Sequence, residues 1–151
     1  MTTTFRFLGT WLLLVLCFAA PAAAQTVEPL TIVTSSGSQA FQVEVARNDA
    51  DRAQGLMYRR SMATDHGMLF DFRRVEPVSM WMQNTYLSLD MLFIRPDGSI
   101  ARVAENTEPL STRIIPSGEP VLAVLELVAG TARRLGIKAG DTVQHALFDK
   151  R

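Results

Sequence analysis

The chain is poor in the residues that most often declare a chemistry. It holds one cysteine and two histidines in 151 residues. The cysteine, Cys17, lies in an N-terminal apolar stretch that reads as removable. The remainder then has no disulfide, no thiolate metal site and no cysteine nucleophile. With only His66 and His145, a multi-histidine zinc centre lacks ligands. No Gly-x-Ser-x-Gly string marks a strained nucleophile turn, and no glycine-rich loop of the phosphate-cradling kind is present. An excess of either charge is missing too, with 15 basic residues against 15 acidic ones. A balanced surface has no general pull toward nucleic acid or anionic lipid.

Residues 1–24 do carry a message. A basic residue, Arg6, precedes a nearly unbroken apolar run from Leu12 to Ala20, followed by Pro21-Ala22-Ala23-Ala24. These are the n-region, h-region and small-residue cleavage site of a secretory signal. The apolar core is shorter than the roughly 20 residues of a spanning helix, which favours cleavage over retention as an anchor. A lipoprotein reading through Cys17 is disfavoured by Leu16, where a small residue is expected. Removal leaves 127 residues with no further membrane span, and a periplasmic or secreted location is expected. The expected organisation is a signal over 1–24, a lead-in and first strand over 25–40, and one β-rich domain over 41–151.

The rest of the chain reads mostly as short strands. Leu30 to Thr34 is β-branched, and Phe41-Gln42-Val43-Glu44-Val45 alternates apolar and polar, so one face is buried and one wet. Asn48, followed by Asp49 and Asp51, opens a helix expected to run to about Arg59. Ala50, Ala53 and Met57 form one narrow apolar stripe on it; Arg52, Leu56 and Arg59 form a second. Gly55 would sit mid-helix, a costly position that implies close packing there. Met68, Phe70 and Phe72 share a strand face, Val78 to Met82 is a further strand, and Leu89 to Ile94 suits a strand covered on both faces. Pro96-Asp97-Gly98 is the strongest hairpin turn. Residues 106–120, with Pro109, Pro116, Gly118 and Pro120, read as a long loop. Val121 to Val128 is a strand, Thr131 to Leu135 a one-turn helix ended by Gly136, and Asp141 to Phe148 the last strand. About eight strands and two short helices predict a mainly β fold: a compact antiparallel sandwich or a partly closed barrel.

Several strings together resemble one family. They are Arg52-x-x-Gly55-Leu56-Met57-x-Arg59, Gly67-Met68-Leu69-Phe70-x-Phe72 and Trp81-Met82-Gln83-Asn84-Thr85. Leu89-Asp90, Glu126-Leu127 and Gly136-Ile137-Lys138-Ala139-Gly140-Asp141 follow further on. The chain resembles, over roughly residues 41–147, the prokaryotic domain of unknown function number 192, also called uncharacterised protein family 0127. The resemblance implies a compact, jelly-roll-like β fold in proteins that are often exported, with no established biochemical role. Gln83 stands where lysine is common in the family and Ser88 where proline is common.

Three site readings follow from the residues. In the first, Asp90 and Glu126 stand in apolar strands, where a carboxyl is costly unless paired or hydrogen-bonded. Arg52 and Arg59 are the expected partners, with Trp81, Asn84 and Thr85 nearby. That set is either an internal ion-pair network fixing register or a small ligand pocket with a few convergent polar groups. The favoured function is a non-catalytic binder of a small molecule or an envelope component, with no cofactor. In the second, Asp90 and Glu126 form a hydrolase-type carboxyl pair, which requires both in one cleft. In the third, Met80, Met82 and His66 bind a soft metal, copper(I) in an oxidising compartment; methionine as a filler of irregular core gaps is the plainer account.

Overall fold

The computed structural model describes residues 26–149. The signal segment expected over residues 1–24 lies outside the described residues. Seven strands and two short helices make up the domain. In chain order they are β1 (Val27–Thr34), β2 (Gly37–Ala46), α1 (Asp49–Gln54), β3 (His66–Met80), β4 (Leu89–Ile94), β5 (Ile100–Ala104), β6 (Ile115–Val128), α2 (Thr131–Leu135) and β7 (Thr142–Gln144). All seven strands belong to one sheet in the order β5-β4-β6-β3-β2-β1-β7. The sheet curls into a partly closed barrel, and its outer strands approach each other at a Ser99–Thr142 bridge. The fold is mainly β, as the strand pattern predicts, and of the two architectures that pattern allows it takes the partly closed one.

The alternation of apolar residues explains how this sheet is buried. One face packs inward: Leu30, Ile32, Phe41, Val43, Leu69, Leu92, Leu125 and Val143 form the barrel's core. The outer face of β3, β4 and β6 carries a second core of Met68, Phe70, Met91, Phe93 and Val124, covered by Leu56 and Met82. Leu89 to Ile94 is buried at every position, as a run that is apolar but for Asp90 requires.

Four local expectations change. The sheet is mixed, because β2 and β3 pair in parallel, from Gln42 beside His66 to Ala46 beside Phe70. A parallel pair needs a crossover, and the segment holding α1 supplies it. That helix ends at Gln54, well short of Arg59, because Gly55 turns out of it at φ +48°. Its predicted Ala50–Ala53 stripe is exposed. The close packing expected at Gly55 is present: a Cβ there would stand 3.1 Å from Cζ of Phe70. Residues 115–120 are strand, not loop. Pro116 and Pro120 pair with Ser79 and Pro77 on either side of a register shift, where a missing N–H does least harm to the ladder. The last strand shortens to Thr142–Gln144.

The Asp97-Gly98 turn joins β4 to β5, as expected, with Gly98 at φ +83°. A Cβ at Gly98 would stand 2.6 Å from the Val143 carbonyl oxygen. Gly98→Val combines that collision with a backbone conformation hostile to β-branched residues. The variant is expected to lose about 3 kcal/mol, measured by urea unfolding. An unchanged midpoint would contradict the geometry.

Candidate functional site

Antiparallel β4 and β6 set Asp90 beside Leu127 and Met91 beside Glu126. Paired residues share a face, so the two carboxyls point to opposite sides of the sheet. Asp90 lies on the face of Leu127, in the inner core; Glu126 lies on the face of Met91, in the outer one. They do not share a cleft, so the geometry of a two-carboxyl hydrolase is absent.

Asp90 is fully buried and satisfied by backbone, not by arginine. One oxygen accepts from the Asn106 N–H at 2.9 Å and the other from the Ala132 N–H at 2.8 Å. Ala132 lies in the first turn of α2, whose N-cap is Gly130 and has no side-chain cap. A carboxyl from a neighbouring strand therefore does the work of the missing cap, where the exposed amides favour negative charge. Asp90 ties α2 and the loop after β5 to the sheet.

Glu126 sits in the middle of the outer face, with Met68 and Met91 on either side in register. It is 4% exposed. Desolvation alone acts on its carboxyl, raising its pKa from the ordinary 4.5 to about 8. No hydrogen bond or ion pair offsets that burial among the described residues. The side chain borders a cavity of about 40 Å³ whose walls are α1 and the residues just after it, Phe70, Met80, Trp81 and Thr85. An adjoining groove of about 270 Å³ shares Arg52, Ala53, Phe70, Met80 and Trp81 with that cavity and extends it along Phe72 and Ser79. Trp81 is 49% exposed and forms part of the rim.

The predicted partners are near but otherwise engaged. Arg52 borders the same cavity as Glu126, yet its guanidinium donates to the carbonyls of Arg47 at 3.0 Å and Asp71 at 2.7 Å. It also pairs with Asp49 and lies over the Phe72 ring. Arg59 clasps Glu44 with both terminal nitrogens, which holds its pKa above the ordinary range. Asn84 is at φ +56°, a conformation asparagine tolerates. Its carbonyl accepts from the Tyr58 N–H at 2.9 Å, and its side-chain amide reaches the Met57 sulfur at 3.9 Å. Asn84 thereby stitches the segment after α1 to the turn after Trp81 and holds the two walls of the groove together. Thr85 is buried at the cavity, its hydroxyl donating to the Gln83 carbonyl at 3.2 Å.

The soft-metal set does not assemble. His66 and Met80 stand at opposite ends of β3, and His66 holds Asp65 through Nδ1 at 2.8 Å. Met82 is buried with its sulfur against the Thr107 hydroxyl at 3.2 Å. Of the predicted site residues, the structure thus gathers Arg52, Trp81, Thr85 and Glu126 around one cavity. It places Asn84 and Arg59 in supporting contacts, and Asp90 on the other side of the sheet. The groove residues Ala53, Gly55, Leu56, Met57 and Phe70 were not foreseen as a site. Their signal was available: the Arg52-to-Arg59 string and the Trp81-to-Thr85 string are the two walls.

Residues 31–145 match the family DUF192, described as "Uncharacterized ACR", and the chain belongs to that family. Two solved structures resemble it closely. A Sinorhizobium meliloti protein, described as a transcription-regulator candidate, is 52% identical with a TM-score of 0.81; the match covers 83% of this chain and 98% of that one. A protein of unknown function from Novosphingobium aromaticivorans is 36% identical with a TM-score of 0.80, over 83% of this chain and 90% of that one. No curated protein matches the chain. No helix among the described residues is long and apolar enough to cross a membrane.

Proposed function

We propose that this protein is a non-catalytic binding domain that takes a small ligand in the groove over Glu126, and that it is exported to work in the cell envelope or beyond. The observation that carries the binding reading is a buried carboxyl without a partner among the described residues, bordering a small cavity that adjoins an apolar groove rimmed by an exposed tryptophan. Small-ligand sites have this make-up: mostly apolar walls with a few polar groups that fix orientation. A carboxyl kept only as part of the core would be expected to have a donor. Arg59–Glu44 and Asn84–Tyr58 support the reading by bracing the walls from outside the cavity.

A thermal-shift screen of small organic molecules against the domain from Gln25 onward tests it. Hits are expected to raise the melting temperature of the wild type and to lose most of that effect in Trp81→Ala, whose exposed side chain contributes little to the core. Hits indifferent to Trp81→Ala, or a broad screen with no hits, would refute the site. Export rests on the sequence of residues 1–24. Mass spectrometry of the protein from its native host is expected to find an N-terminus at Gln25; a protein still starting at Met1 would count against cleavage.

A further inference from the structure

Building on that reading of the groove, we infer that its ligand is an alkylammonium: a primary amine at the end of an apolar chain, with the ammonium on Glu126 and the chain along Phe70, Met80 and Trp81. Three observations lead there.

The first is the carboxyl itself. Glu126 is 4% exposed, borders the cavity and draws no donor from the described residues. A ligand that supplies a positive charge and N–H donors completes it; a hydroxyl supplies a donor but leaves the ionised carboxyl uncompensated in an apolar surround. The neighbouring cation does not fill that role. Arg52 is occupied by two carbonyls and Asp49.

The second is size. The inner cavity, about 40 Å³, takes a head group of one to three heavy atoms, which suits an ammonium with its attached methylene. The groove beyond it, about 270 Å³, takes a short aliphatic chain.

The third is the wall chemistry. Phe70, Met80 and Trp81 line both spaces. Aromatic faces attract cations and cover methylenes, and methionine adapts to an unbranched chain.

Binding an ammonium at neutral pH also moves a proton. Glu126 enters protonated, pairs as the carboxylate, and its proton leaves to the buffer, so the amine stays charged and the complex stays balanced.

Two sources carry such an ammonium, a free aliphatic amine and a lysine side chain of a peptide, and one experiment separates them. Isothermal titration at pH 7 would compare pentylamine, 1-pentanol, pentanoate and Nα-acetyl-lysine methylamide, each in two buffers of different ionisation enthalpy. Pentylamine or the lysine derivative is expected to bind at least tenfold more tightly than the alcohol and the acid, with close to one proton released. Glu126→Gln, which keeps the shape of the side chain, is expected to lose that preference and the proton release. Stronger binding of the free amine marks a small-molecule source, and stronger binding of the lysine derivative a peptide source. If the alcohol or the acid binds as well as the amine, and the binding is lost in Trp81→Ala, the ammonium assignment fails while the groove stands as a site. If none of the probes binds and the broad screen is also blank, both fall.

Discussion

Glu126→Gln is expected to make the protein more stable in mild alkali, by about 4 kcal/mol at pH 9. The carboxyl is raised from the ordinary 4.5 to about 8 by burial. Below pH 4.5 it is protonated both in the fold and in the unfolded chain, and the full stability is present. As pH climbs toward 8 the unfolded chain ionises while the fold resists, and stability drains at up to about 1.4 kcal/mol for each pH unit. Above 8 both states are ionised and the loss levels off. Glutamine has no charge to bury, so the difference between wild type and variant should grow across that window and then plateau. Urea unfolding at pH 4.5, 6, 7.5 and 9 measures it. A difference that does not change with pH would mean that the carboxyl ionises in the fold as it does in water. The two proteins should be near parity at pH 4.5, where a neutral amide replaces a neutral acid.

Asp90→Ala should do the opposite. The side chain accepts from two backbone amides, those of Asn106 and Ala132. Removing it leaves both N–H groups without an acceptor in a buried place, at about 1–3 kcal/mol each. It also removes the negative charge at the start of α2. A loss of about 3–5 kcal/mol is expected, enough to unfold many small domains. Asp90→Asn should be intermediate, because its amide keeps one accepting oxygen. Hydrogen exchange offers a second readout: the amide of Ala132 should lose its protection before the amides of β4 and β6 do. If Asp90→Ala unfolds with the wild-type midpoint, α2 is held by something other than this carboxyl.

These two residues also show how far the sequence reaches. Both were recognisable as buried carboxyls, because each stands between apolar neighbours in a strand-like run. Their partners were not. Arginine is the natural choice by residue type, yet Arg52 and Arg59 meet acceptors closer to hand: Asp49 and two carbonyls for one, Glu44 for the other. Asp90 is satisfied by the amide of a residue 42 positions away, and no pattern of side-chain types announces a backbone donor. A shift of one residue in β4 against β6 decides whether two carboxyls share a cleft. That register comes from long-range pairing, which alternation alone does not number. The same limit applies to the sheet's direction. Period-two patterns identify β2 and β3 as strands, but a parallel pair and an antiparallel one carry the same alternation. The hairpin at Gly98 and the glycine stop after α2 were legible because their chemistry is local. Gly55 was half legible: its tight contact could be inferred, but not its role as the end of α1.

The Ser99–Thr142 bridge has a consequence for how the chain acquires its shape as it is made. β7 pairs with β1, whose residues are more than a hundred positions earlier, and its first residue, Thr142, meets Ser99 at the far edge of the sheet. Until residues near 142 emerge, both margins of the sheet are bare ladders, free to recruit strands from other chains. Their arrival occupies part of each margin at once. β7 is thus a clasp, and nascent chains or chains clipped before it should be the sticky ones, while the clasped sheet keeps to itself.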